Sequence, residues 1–271
     1  MTGNSATGLA LKILVGLTVL FLVVPVVIIV PVSFTSGAAL EFPPAGFSSR
    51  WYDLLVSDAQ LRAALIQSIV VAAGTVIASL VLGVSAAVAL QRTRLRGRKV
   101  IYWLAIAPLV TPVVVLAIGD FMVFSRWQIT GTTLGLVIAH TVLAVPLVIV
   151  SVTASLHTIS PNLADASASL GAGPIRTFWR VTIPLLRPGI AAGGVFAFIT
   201  SWDEVVTSIF LSSPSNRTLP VLIWNEIRTN LTPTIAAVGT VLIAVSIMAL
   251  IVVQRMQSRT DRQRELLEAK P

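Results

Sequence analysis

The chain has 271 residues, of which 55% are hydrophobic and 11% charged, with a formal net charge of +8 and a mean hydropathy of +0.91. A soluble domain carries roughly a quarter charged residues, so water is not this chain's main solvent, and its length is better counted in bilayer crossings of about 20 apolar residues each. Cysteine is absent and only His140 and His157 are present, which excludes disulfides, thiolate chemistry and a histidine-rich metal centre.

The first apolar run covers 11–34, with Lys12 at its start. It is too long for the apolar region of a signal peptide and has no small-residue cleavage site close behind it, so it is expected to remain as a span. Further spans are expected over 63–90, 100–124, 133–155, 188–211 and 234–253. The fold class that follows is an all-α membrane protein of about six transmembrane helices, and a single transmembrane domain is expected to occupy 1–271.

Charge placement gives an orientation. With the N-terminus inside, Lys12, then Arg92, Arg94, Arg96, Arg98 and Lys99, then Arg176, Arg180 and Arg187, and finally Arg255, Arg259, Arg262, Arg264 and Lys270 face the cytoplasm, fourteen of the nineteen positive residues. Arg50, Arg62, Arg126, Arg217 and Arg228 fall outside. This bias is the positive-inside pattern and predicts cytoplasmic termini; it also dissolves the nucleic-acid reading that one basic patch would have invited.

In the second span Gly74, Ala78, Ser79, Gly83 and Ala87 recur at intervals near four, a spacing that lets helix backbones approach in lipid; alanine and glycine are also simply common in spans. Pro25, Pro31, Pro108, Pro112 and Pro146 lie in or near spans, where each removes a backbone donor and favours a bend. Asp120 is expected to end the third span.

Between the fourth and fifth spans lies HTISPNLADASASLGAGPIRTFWRVTIPLLR, residues 157–187. Ser160-Pro161 is a helix start, Asn162 to Leu170 reads as a short helix stopped at Gly171, and Gly173-Pro174 restarts a second one through Trp179, with Pro184 and Pro188 resetting the chain. The product is a knuckle offering Leu163, Leu170, Phe178 and Trp179 beside Arg176 and Arg180. It suits a groove on a cytoplasmic partner and, equally, a position against lipid headgroups.

Asp165-Ala166-Ser167, two further residues, Leu170-Gly171-Ala172, then Phe178, Val181, Ile183-Pro184, Leu185-Leu186 and Arg187-Pro188 resemble the EAA loop of binding-protein-dependent ABC importer permeases. The resemblance implies a type I ABC importer permease arrangement with a short cytoplasmic coupling helix docking into the ATP-binding subunit, and carries coupling positions onto Asp165, Ala166, Ser167, Leu170, Gly171, Phe178 and Pro184. Two positions depart from the usual Glu-Ala-Ala: aspartate stands at 165 and serine at 167.

In the fifth span, TSWDEVVTSIFL places Asp203 beside Glu204, expected about 100° apart on one helix. Acidic groups are costly in lipid and mark pathways or partners, and a carboxylate pair beside a pore attracts cations. The same pair could instead meet an arginine of a neighbouring subunit, brace a helix break or sit at the outer interface. Trp202 could stack on an amine-bearing solute or simply pack.

SWDEVVTSIFLSSPSNRTLPVLIWNEIR followed by LTPTIAAVGT is similar to the PotC-type permeases of spermidine/putrescine importers, through Ser201, Asp203, Thr218-Leu219-Pro220, Arg228 and Thr232-Pro233. This resemblance implies inward movement of putrescine- or spermidine-like polyamines by alternating access. Opines, aminophosphonates or other small nitrogenous solutes are the alternative, and a structural membrane subunit a remote one. It implies a related second permease as heterodimer partner, two ATP-binding subunits, an extracytoplasmic solute-binding protein and a bacterial inner-membrane location.

No phosphate-binding loop of the Gly-x-x-x-x-Gly-Lys-Ser/Thr kind occurs in the sequence, so ATP and magnesium are expected on the partner ATPases and no cofactor or metal on this chain. His140 has no sequence partner that defines a catalytic geometry, and helix contact is its expected role. Residues 254–271 read as a solvated cytoplasmic tail.

Overall fold

Long apolar runs have no water to satisfy their amides in a bilayer, so each must close its hydrogen bonds internally, and the helix does this within one segment. The structure, a computed structural model, describes residues 5–92, 96–160 and 162–268, and side chains other than those of 5–7, 92, 164, 165 and 256–268. Arg94, Pro161 and Lys270, and the side chains of Arg92, Asp165, Arg259, Arg262 and Arg264, thus lie outside the described residues. Among the described residues every regular element is helical, apart from one antiparallel bridge between Thr35 and Phe47.

Among the described residues four helices are long and apolar enough to cross a membrane: Gly8–Ser33, Ala59–Gln91, Thr133–His157 and Pro233–Arg255. Two bent pairs bring the number to six if each is one span: Arg98–Leu109 with Val113–Arg126, bent by 99°, and Pro174–Leu185 with Arg187–Trp202, bent by 72°. The third expected span is therefore broken, at a point where Pro108 and Pro112 flank the bend. Pro25, Pro31 and Pro146 lie inside unbroken helices.

The chain divides into two compact units. One comprises the residues up to Arg62 together with 222–244. It contains α1 (Ser5–Ser33), whose apolar side chains are largely exposed, as a lipid-facing span requires, and α2 (Arg50–Ser57). The loop between them is pinned by the indole of Trp51 donating to the Thr35 carbonyl at 2.7 Å and by Ser33 and Tyr52 hydroxyls 2.6 Å apart. Arg50 lies over the Trp51 ring at 4.2 Å.

The second unit runs from Ala63 to Val221 and resumes at Val245. Most of α3 (Ala59–Arg92) belongs to it, followed by α4 (Arg98–Ile106), α5 (Val113–Arg126) and α6 (Thr133–His157). Next come α7 (Asn162–Ser169), α8 (Pro174–Thr177), α9 (Ile183–Leu185), α10 (Arg187–Trp202) and α11 (Val206–Leu211). Helices α12 (Leu219–Thr229) and α13 (Pro233–Glu268) are each divided between the two units, 222–244 belonging to the first and the remainder to the second.

Its centre is α6. Leu136, Ala139, His140, Ala144, Val148 and Val152 are fully buried there, because α10 packs along one side of α6 and α3 reaches the other. A Cβ on Gly83 of α3 would lie 2.6 Å from Val148 Cγ1, and one on Gly193 of α10 would lie 3.1 Å from Val148 Cα. Two helices thus close on one valine from two directions, and at Gly83 only a hydrogen fits. The small residues expected to permit close packing do so at Gly74, which faces Val137, and at Gly83. In lipid this contact replaces the hydrophobic drive that water would supply.

The fifth expected span, 188–211, is corrected by the structure. Helix α10 ends at Trp202 and α11 begins at Val206, so Asp203 and Glu204 sit on a break and not 100° apart on one continuous helix. Beyond it, α12 was not anticipated as a separate element; its first amide, on Leu219, is satisfied by the buried Ser68 hydroxyl at 2.8 Å.

Candidate functional site

Two regions carry the chemistry singled out in the sequence. The first is the break between α10 and α11. Asp203 is exposed and follows the last residue of α10, its amide still bonded to Ile199 O at 3.2 Å. Glu204 is half-buried, and its Oε1 accepts from the amide of Thr207 at 2.7 Å. The carboxylate therefore satisfies one of the free donors that open α11 and lies against the positive end of that short helix.

The break is held from behind by His140. Its Nδ1 lies 2.8 Å from Ser201 Oγ, before the break, and its Nε2 2.9 Å from Ser208 Oγ, after it. Ser201 donates onward to Thr75 Oγ1 of α3 at 3.4 Å. With that donation, Nδ1 carries the ring proton and Nε2 accepts from Ser208. His140, Ser201, Ser208 and Thr75 are all buried, so one imidazole staples α10 to α11 inside the bundle, consistent with its expected role in helix contact.

Trp202 is 2% exposed and stacks on Phe198 with ring centroids 5.6 Å apart. Of its two sequence readings, packing fits this position. On the other side α11 packs against α5, the helix that carries Asp120. Asp120 does not end its helix; α5 continues to Arg126, and among the described residues one Asp120 carboxylate oxygen is buried without a hydrogen-bond partner.

The sequence reading missed Ser208 and Thr75 as partners of the histidine. It also passed over the run Gly189, Gly193, Ala197 and Ser201, spaced by four along α10 and buried. That spacing was legible and is the signal that would have found it.

The second region is the knuckle. Helix α7 ends in a Schellman turn: the amide of Ala172 bonds Ser167 O at 3.1 Å, that of Gly171 bonds Ala168 O at 2.9 Å, and Gly171 takes the left-handed conformation with φ of +79°. Asp165 and Ala166 lie on this helix, Ala166 exposed. Ser167 turns inward, its hydroxyl 3.0 Å from that of buried Thr177. The serine that departs from the usual alanine thus ties α7 to α8.

The second short helix runs past Trp179. Residues 178–182 form one turn of π-helix that leads into α9, where Pro184 sits. A proline removes an amide and crowds the carbonyl four residues earlier, and the wider turn before it gives that carbonyl room.

Phe178 is half-buried, edge-on to Trp179 with centroids 5.4 Å apart. Leu163, Leu170, Ile175 and Trp179 are exposed, Leu170 at 89%. Ile175 was not named from sequence. Together with Arg176 and Arg180 it lines a shallow hollow of about 420 Å³ beside Trp179.

Residues 79–262 match the family described as binding-protein-dependent transport system inner membrane component. The putrescine transport system permease protein PotI of Escherichia coli K12 is 32% identical over 93% of this chain and 91% of its own length. The spermidine/putrescine transport system permease protein PotC of the same strain is 30% identical over 86% and 88%.

Among solved structures, a chain of a bacterial ABC transporter involved in the import of the acidic polysaccharide alginate aligns with a TM-score of 0.72 over 96% of this chain and 99% of its own, at 20% identity. A chain of the MetNI methionine ABC transporter in an inward-facing conformation aligns at 0.59 over 78% and 97%, at 19% identity. At these identities the two structures establish the fold, the type I ABC importer permease arrangement, and leave the solute open.

Proposed function

The chain belongs to the family of binding-protein-dependent transport system inner membrane components, and from that premise we propose that its solute is a polyamine of the putrescine or spermidine kind. It is a multi-pass inner-membrane, non-catalytic permease subunit of an ABC-type importer that moves a small solute. Its membership also implies the company typical of the family: a second permease, ATPase subunits and a solute-binding protein.

The observation that carries the polyamine reading is the acidic break. Non-helical backbone at membrane depth is tolerated where it is buried in protein or lines a water-filled cavity. Here the break carries Asp203 and Glu204 side by side, one exposed and one half-buried. Two carboxylates on such a lining lower the barrier to an ammonium group and raise it to an anion. The relatives named for putrescine and spermidine transport support the same class of solute.

In this reading the specificity comes from the external binding protein, and a related permease completes the pathway. The 157–187 knuckle faces the ATPase with both termini cytoplasmic, Asp165, Ala166, Ser167, Leu170, Gly171, Phe178 and Pro184 forming the docking segment. ATP and magnesium bind on the ATPase. Closure of the ATPase pair moves the knuckle and opens the permease pair outward; hydrolysis resets it.

The test is ATPase activity of the whole complex in lipid nanodiscs with its own binding protein. Stimulation by putrescine or spermidine, lost when the binding protein is omitted, supports the reading. Stimulation by a neutral or anionic solute in place of the amines overturns the polyamine assignment and leaves the family intact.

A further inference from the structure

At the end of α3 and the start of α4, a cavity of about 500 Å³ is lined by Gln91, Arg98, Lys99, Tyr102, Trp103 and His157, with Leu90 and Thr153 at its sides. No carboxylate is among these lining residues. A chain of hydrogen bonds orders its polar wall: Arg98 Nη2 donates to Gln91 Oε1 at 2.9 Å, and Gln91 Nε2 meets His157 Nε2 at 3.0 Å. Among the described residues Arg98 and Lys99 are exposed and lack a carboxylate partner. The solute pathway proposed above uses none of these groups.

We propose that this cavity binds the phosphate of an anionic phospholipid headgroup. Two cations and an amide converge on one hollow, which is what a phosphodiester requires. The order of chemistry along α4 then distinguishes a lipid from a free anion. Arg98 and Lys99 come first, exposed Val100 and Ile101 follow, Tyr102 and Trp103 meet edge-to-face at 6.1 Å, and beyond them Leu104 is 69% exposed, with Leu109 and Val110, past the end of α4, also exposed. Charge at the start of the helix gives way to an exposed apolar strip with an aromatic pair within it, as headgroup gives way to interface and acyl chain across half a bilayer. Basic pockets between spanning helices bind anionic headgroups by this arrangement.

The test uses the complete importer purified from nanodiscs of equal phosphatidylglycerol and phosphatidylcholine, with retained lipid counted by mass spectrometry. The wild type should retain phosphatidylglycerol preferentially, and Arg98→Gln with Lys99→Gln, both at exposed positions, should lower that preference about fivefold for each cation removed. Brominated phosphatidylglycerol should quench Trp103, read as the difference from Trp103→Phe, more strongly than brominated phosphatidylcholine; this readout leaves both cations in place. An unchanged preference in the double variant overturns the proposal. So does an equal loss on removing Arg126 and Arg228, which would reduce the effect to bulk charge. Binding of inorganic phosphate at this site without lipid preference would assign it to a free anion and overturn the lipid source.

Discussion

His140 and Ser201 stand 61 residues apart in sequence and meet at 2.8 Å in a buried hydrogen bond, while the other ring nitrogen of His140 holds Ser208 on the far side of the α10–α11 break. A single side chain therefore fixes the relation between the helix that packs on α6 and the short helix that follows Asp203 and Glu204.

His140→Leu removes both bonds, leaving Ser201 with Thr75 and the buried Ser208 hydroxyl without the histidine, and a buried hydroxyl left unpaired costs about 1–3 kcal/mol. Thermal unfolding of the complex should show a clear loss. A double-mutant cycle of His140→Leu with Ser201→Ala should be strongly non-additive, since each change alone already removes the bond the two residues share. Strict additivity would mean that the bond does not form in the membrane.

Gly83 and Gly193 approach Val148 from two helices. Gly83→Ala should destabilise the bundle by about 1–3 kcal/mol, the usual range for overpacking, and Val148→Ala should restore part of the loss by vacating the space. Destabilisation that Val148→Ala deepens would contradict the packing described.

Gly171 has a left-handed backbone but open space where a Cβ would go. A side chain there pays about 1–2 kcal/mol of backbone strain and nothing in contact. Gly171→Asn, which tolerates that conformation, should keep solute-stimulated ATPase activity close to wild type, while Gly171→Val should uncouple ATP hydrolysis from solute with assembly preserved. Equal behaviour of the two variants would sink the conformational argument.

Glu204 supplies both charge and a helix cap. Glu204→Gln keeps an acceptor for the Thr207 amide and removes the charge, whereas Glu204→Ala removes both and should cost a further ~1 kcal/mol of stability. If the charge serves the pathway, the two variants should lose amine transport to a similar degree and differ in melting temperature. Full transport by Glu204→Gln would leave the carboxylate with the cap alone.

The spans were legible because apolar runs near 20 residues have one use, and the knuckle because Ser160, Gly171 and Pro174 punctuate it. The break at 203–205 was not, since no proline or glycine marks it; it is held by His140, whose serine partners lie more than sixty residues away. The inward turn of Ser167 was hidden for the same reason, its partner Thr177 lying across the next turn. The broken third span could be anticipated only as a bend, because Pro108 and Pro112 resemble Pro25 and Pro146 until packing decides which helices part.

The most direct measurement is uptake of labelled putrescine and spermidine into proteoliposomes holding the whole importer, with ATP inside and the binding protein outside. The account predicts ATP-dependent accumulation that falls steeply when Asp203→Asn and Glu204→Gln are combined, with the complex still assembled. Accumulation of another solute with no response to either amine, or amine uptake indifferent to both charge removals, would contradict it.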